Sequence, residues 1–284
     1  MKKSISIFLV LAFVISLVGC GTGSFDKNKD SLFESKSHVR FSTTVSESSI
    51  TNVETEQSTM DSYCKSAAQQ AQNGSDCTYS AVKIIAQGLG VSSEEIDTID
   101  STKATNSKSS NSAVQEQVNN SYRTVELLVL IAEKLDKDNE FTSDISAIES
   151  DFISMNNSAK SAPQQIVNGH YRTVELLEVI AKIADKDDEY SDRISAIMST
   201  FSTQNSSASS APQQNVNGAY RTVEMILLIA EIVDYDNEYS SSISTIDSRL
   251  SSQNDVCNSA PQQEANGCYR TTEAFCLLAK ILAS

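Results

Sequence analysis

The tetrapeptide Tyr-Arg-Thr-Val, or Tyr-Arg-Thr-Thr in its last copy, recurs at Tyr122, Tyr171, Tyr220 and Tyr269 with a constant period of 49 residues. A period of that size, kept without insertion, marks a chain that repeats one supersecondary unit, because such a unit buries its apolar face only against copies of itself. Alignment extends the unit beyond the tetrapeptide. Ser161-Ala-Pro-Gln-Gln, Ser210-Ala-Pro-Gln-Gln and Ser259-Ala-Pro-Gln-Gln each precede an Asn-Gly and then the Tyr. Ser112-Ala-Val-Gln-Glu is the same element before Tyr122, and Ser66-Ala-Ala-Gln-Gln with Asn73-Gly74 is a divergent fifth copy without the Tyr. The copies start near residues 64, 112, 161, 210 and 259.

Ser-x-x-Gln is a capping-box arrangement, and Pro in the first helical turn sacrifices no bond because its missing N–H had no helical partner. A helix, A, therefore starts at this Ser and runs through the Tyr. Val216, Tyr220, Val223, Leu227 and Ala230 fall at spacings of 4, 3, 4 and 3, and Ile226, Ile229, Ile232 and Val233 widen the stripe. Such a helix is buried on two sides. Acidic turns follow, then a helix B with one apolar stripe: Phe141, Ile145, Ile148 and Phe152, repeated as Tyr190, Ile194, Ile197 and Phe201 and as Tyr239, Ile243, Ile246 and Leu250. Alternating strand patterns are absent. The pattern predicts an all-α chain, an α-solenoid of stacked antiparallel helix pairs in the order A-B four times and a final A. Its terminal copies would each lack a neighbour on one side.

The N-terminus reads as a targeting segment. Lys2 and Lys3 precede an apolar run over 5–17 interrupted only by Ser16, too short for a permanent membrane span. The run ends in Leu17-Val18-Gly19-Cys20, which resembles the lipobox of bacterial lipoproteins. That resemblance implies a signal peptide over 1–19, lipidation of Cys20 by palmitate-like chains, and firm anchoring, since several acyl chains hold where one is marginal. It places the protein in the bacterial cell envelope, and Gly21 after the Cys favours the outer membrane. Residues 20–60 carry no helical period and read as a flexible, disordered tether; 61–284 is the repeat domain.

The net charge is −15, and loss of Lys2 and Lys3 makes it −17. This argues against nucleic acid and anionic membrane surfaces as partners and leaves an envelope or extracellular protein as the expected one. Cysteines other than Cys20 occur only in the first and last copies. An exported chain meets an oxidising environment, so disulfides Cys64–Cys77 and Cys257–Cys268 are expected to staple the ends, with Cys276 free. Spacing argues against this, since Cys268 lies nine residues past its cap in an unbroken helix.

Gln164, Asn168, Arg172 and Glu175, with Gln213, Asn217, Arg221 and Glu224, form a polar stripe along helix A. It is either a ladder holding repeats together or a repeated binding ridge; buried Arg172 and Arg221 would exclude the ridge. The turns Asp136-x-Asp138-x-Glu140, Asp185-x-Asp187-x-Glu189 and Asp234-x-Asp236-x-Glu238 begin like an EF-hand loop. Their sixth and twelfth positions lack the required Gly and Glu, so no metal and no cofactor is expected. His38 lies in the tether, and His170 stands where other copies have Ser121, Ala219 and Cys268. No nucleophile, zinc or phosphate-loop motif occurs, which excludes the motif-bearing enzyme classes. The expected role is a lipid-anchored protein-binding or scaffolding module, with a structural spacer or surface-display lipoprotein as the alternative.

Overall fold

A computed structural model describes residues 44–284, all within one compact unit. The expected signal peptide, the expected lipidation site Cys20 and most of the expected tether lie outside the described residues. Ten α-helices and no strand occur among them: α1 (Glu47–Tyr63), α2 (Ala67–Gly88), α3 (Ser93–Ser109), α4 (Ala113–Leu135), α5 (Thr142–Ser158), α6 (Ala162–Ala184), α7 (Ser191–Ser207), α8 (Ala211–Val233), α9 (Ser240–Val256) and α10 (Ala260–Ala283). The fold is all-helical and built from stacked antiparallel pairs. None of these helices is long and apolar enough to cross a membrane.

Even-numbered helices are the two-sided A helices. α8 buries fourteen of its residues, Val223, Ile226 and Ile229 among them. Odd-numbered helices bury two or three: Ile145 and Phe152 in α5, Ile246 and Leu250 in α9. Two such side chains contribute roughly 3–6 kcal/mol, so each outer helix is held by few contacts and the inner helices carry the core.

The inner helices pack in succession, α2 on α4, α4 on α6, α6 on α8, α8 on α10, and α10 packs back on α2. The stack therefore closes into a ring of five inner helices with five outer ones. Closure keeps the register of every other junction. At the eighth position after the cap, Gly267 of α10 lies so close to Ala219 of α8 that an added Cβ would sit 2.6 Å from the Ala219 Cβ. Gly74 of α2 meets Cys268 of α10 in the same way, at 2.9 Å from its Cβ. The eighth position of one inner helix meets the ninth of its neighbour at each junction, so the inner helices run parallel; glycine admits the close approach at four junctions, and at the fifth Asn120 of α4 donates to Ser75 of α2 at 3.2 Å.

Four sequence expectations change. Part of the expected tether, 47–63, is helix α1, which packs on α2 and α10 and completes the fifth pair. Each outer helix rests chiefly on the inner helix that follows it, so the unit is B-A five times rather than A-B four times with a lone A. The terminal copies do not lack neighbours, because they neighbour each other. The expected disulfides Cys64–Cys77 and Cys257–Cys268 are also corrected: all five described cysteines are free. Helices α2 and α10 run unbroken past Asn73-Gly74 and Asn266-Gly267. Cys77 and Cys268 thus stand about 16 and 14 Å along the axis from their caps, well beyond disulfide reach of Cys64 and Cys257.

Candidate functional site

The repeated signature is a three-way junction. Tyr points to the outer helix of the next pair: Tyr122 meets Phe152 edge-on at 4.9 Å between ring centroids, and Tyr171 meets Phe201 at 4.5 Å. Arg points to the outer helix of its own pair. Arg172 pairs with Asp151 at 3.3 Å and with Glu175 at 2.8 Å, while Arg270 pairs with Glu273 and donates to Gln253 at 2.9 Å. Thr turns to the ring axis, where Thr124, Thr222 and Thr271 donate to the carbonyl four residues earlier.

The polar stripe is accounted for by these contacts. Arg172 is 6 % exposed and its side chain lies between α5 and α6; the Arg221 side chain is 14 % exposed and paired with Glu224. Burial raises the Glu175 and Glu224 carboxyls, and the adjacent guanidinium opposes that rise. Asn168 donates to the Phe152 carbonyl at 3.2 Å and Asn217 to Asn205 at 3.3 Å. Gln164 and Gln213 accept from the backbone N–H of Lys160 and Ser209, each at 3.0 Å. The Gln of the capping box thus reaches the residue before the cap Ser rather than the cap itself. Burial of Arg172 removes the exposed ridge in its copy, whereas Arg221 is partly buried and Gln164 and Gln213 are exposed; the ladder links the two helices of one pair rather than successive repeats.

The acidic turns are structural too. The N-cap residues of α5, α7 and α9 are Phe141, Tyr190 and Tyr239, whose side chains make no capping hydrogen bond. Asp136 accepts from the N–H of Glu140 at 2.9 Å and of Phe141 at 3.1 Å; Asp185 and Asp234 accept from Tyr190 and Tyr239 at 2.9 Å. These carboxylates fill orphan donors at the positive end of a helix. Asn139, Asp188 and Asn237 take φ of 57°, 58° and 55°, the left-handed turn that Asn and Asp tolerate best. Asp138 is exposed and lies 3.7 Å from Lys186. Asp187, Glu189, Asp236, Glu238 and Glu140 stand in the same turns. Among the described residues no group of three His, Cys, Asp or Glu side chains is placed to hold a metal.

Two voids lie on the ring axis, each lined by all five inner helices. One, about 30 Å³, is bounded by Ile85, Leu128, Ile131, Leu177, Ile229 and Phe275. The other, about 40 Å³, is bounded by the five signature-position threonines with Ser75, Ser121, His170 and Cys268. The buried Nε2 of His170 has no hydrogen-bond partner, and burial lowers its pKa to about 4. Burial raises the Cys268 thiol, with the Glu264 charge adding to the rise. The thiol is therefore neutral near pH 7, the wrong state for an activated nucleophile, and the imidazole is neutral as well. Towards the N-terminal ends of the same helices, buried Glu264 accepts from Gln117 at 2.7 Å and from Asn215 at 3.3 Å. Burial raises its carboxyl, and the two amides oppose the rise.

Sequence reasoning missed this Glu264–Gln117–Asn215 cluster, since Gln117 and Asn215 lie 147 and 49 residues from Glu264 along the chain. The available signal was the fifth position of helix A, which holds Gln117, Asn215 and Glu264 where an inward stripe calls for apolar residues. No family model, no curated protein and no solved structure matches the chain.

Proposed function

We propose that the chain is a lipid-anchored envelope protein whose helical ring is a rigid, non-catalytic structural or surface-display module. The observation that carries this reading is the burial of Arg172 and Asn168 against the outer helix of their own pair, together with use of the inner faces for ring closure. Among the described residues, closure turns the inner face inward, so the concave surface by which open solenoids hold partners is not presented. The polar axial void, at about 40 Å³, falls far below the several hundred Å³ of small-molecule sites. What the ring presents outward is the Ser-, Asn- and Asp-rich face of its outer helices.

A protein-binding scaffold is the second reading. A groove of about 570 Å³ between α1 and α3 favours it, with Lys83, Lys103, Asp76, Asp100 and Tyr79 in its walls. Those charges pair with each other: Lys83 with Asp100, and Lys103 with Asp76 at 2.6 Å. An incoming partner would have to exchange these pairs, which weighs against the groove.

The test is metabolic labelling with radioactive palmitate, combined with protease treatment of intact cells. The reading expects label in the native chain, none in Cys20→Ser, and loss of the ring from the cell surface on protease treatment. Label in Cys20→Ser, or no label in either chain, contradicts the anchor. A ring that resists external protease in intact cells yet is cleaved after lysis contradicts display.

A further inference from the structure

Ring closure brings together cysteines that lie at opposite ends of the chain. Cys64 and Cys77 belong to the first pair, Cys257, Cys268 and Cys276 to the last, and these pairs meet where α10 packs on α2. Cys77, Cys268 and Cys276 are buried, whereas Cys64 and Cys257 are partly exposed. The two exposed thiols cap the C-terminal ends of α1 and α9, the outer helices flanking the closing junction. Each follows a large apolar residue in open solvent: Tyr63 is 77 % and Val256 72 % exposed, with Met60 one turn before Tyr63. The corresponding residues of the other pairs are Ser109-Ser110, Ser158-Ala159 and Ser207-Ala208. The apolar-Cys combination is thus confined to one side of the ring, where it packs against nothing in a single copy.

We propose that this patch joins two copies of the chain about a twofold axis, with Cys64 of each copy disulfide-bonded to Cys257 of the other. A twofold interface must be self-complementary, so that one segment meets the other in both directions. The segments Tyr63-Cys64-Lys65 and Asp255-Val256-Cys257 meet that requirement. Crossing them in the register that joins Cys64 to Cys257 sets Tyr63 against Val256, apolar on apolar, with the exposed Lys65 and Asp255 carrying opposite charges at the margins of the contact. Any other partner would have to bring two thiols of its own at matching spacing. The acidic charge of the whole chain opposes self-association, so the covalent links are what hold the pair.

The chemistry is thiol–disulfide exchange with a small or protein disulfide of an exported compartment. The Cys64 thiolate attacks the acceptor disulfide and releases one thiol; Cys257 of the other copy then displaces the second. Two thiols lose two electrons, and the acceptor gains them as two thiols that take up the two protons. Burial pushes Cys77 and Cys276 up to about 12, which keeps them out of the exchange at neutral pH. Partial burial raises Cys64 and Cys257 as well, so the reaction quickens towards about pH 8.5.

The experiment takes the full-length chain with Cys20→Ser in mild detergent, adds oxidised glutathione at about pH 8.5, and reads mass by non-reducing electrophoresis and light scattering. A dimer reversed by dithiothreitol is expected, with a Cys64–Cys257 peptide joining two chains. Cys64→Ser with Cys257→Ser should lower the dimer fraction at least about tenfold, whereas Cys77→Ser with Cys276→Ser should leave it in place. The proposal is overturned by a monomer carrying glutathione adducts, by a Cys64–Cys257 bond inside one chain, or by a dimer that survives the first double variant. The outcome does not depend on the anchor, because the oxidant is supplied.

Discussion

Replacing Gly267 by Ala sets two well-calibrated effects against each other. Position 267 lies in the middle of α10, where Gly→Ala on helix propensity alone should stabilise by about 1 kcal/mol. The new Cβ, however, would stand 2.6 Å from the Ala219 Cβ, and carbon atoms rest at roughly 3.5–4.0 Å. Helices α8 and α10 must part by roughly 1 Å. An open stack would splay to absorb this, but in a closed ring every other junction shares the displacement. Overpacking of this kind costs about 1–3 kcal/mol, so the net expectation is a loss of about 1 kcal/mol. Transposing the methyl group, with Gly267→Ala and Ala219→Gly together, removes the clash while keeping the same atoms at the junction. The double-mutant cycle should then give a favourable coupling of about 2 kcal/mol. Urea unfolding followed by circular dichroism measures all four proteins. If Gly267→Ala matches or exceeds the parent, or if the coupling lies within about 0.5 kcal/mol of zero, the close-approach argument fails.

Two further expectations concern buried charge. Burial raises the Glu264 carboxyl, so the folded state binds its proton more tightly than the unfolded chain does. That contribution is full below the unfolded value of about 4.5 and is lost as pH rises through the folded one. Glu264→Gln, which still accepts from Gln117, should therefore be more stable than the parent at pH 8, with the gap closing in acid; an equal gap at both pH values in thermal melts would refute this. Arg172→Met leaves Glu175 half-buried without its 2.8 Å partner and should cost about 2–3 kcal/mol, below the full penalty for a broken buried pair because Glu175 keeps some contact with water. Adding Glu175→Leu should restore most of the loss in the same assay; no restoration would mean that Arg172 acts through packing alone.

The inner helices were legible because each sequence cue for them is local. The Ser cap, the Gln three residues on and the two-sided stripe all report on a segment of some twenty residues. Outer helices α5, α7 and α9 were legible from three aligned apolar stripes. α1 was not, because Ser46 and Gln57 stand where α5 has Phe141 and Phe152. Only Ile50 and Val53 keep their distances ahead of the cap Ser, as Ile145 and Ile148 do in α5. Closure was illegible for a different reason. A repeat period fixes that neighbours stack, whereas the angle added per unit, and so whether five units complete a turn, depends on how side chains of neighbouring helices interlock. The glycine at the eighth position was visible in four copies, but its meaning as a point of close approach needs the residue it meets, one unit away. The axial Glu264–Gln117–Asn215 cluster follows from closure and could not be found before it.

Closure itself is tested most directly by a cross-link between the first and last inner helices. The hydroxyls of Thr78 and Thr272 lie 3.0 Å apart across 194 residues of chain. In an open stack of five pairs, at about 9 Å per helix step, these positions would be roughly 35 Å apart. The measurement is oxidation of Thr78→Cys with Thr272→Cys in a chain whose native cysteines are replaced. The account predicts a fast-migrating monomer with one internal disulfide, formed in high yield and reversed by reductant. Failure to form that link while circular dichroism shows intact helices would mean that the ring is open.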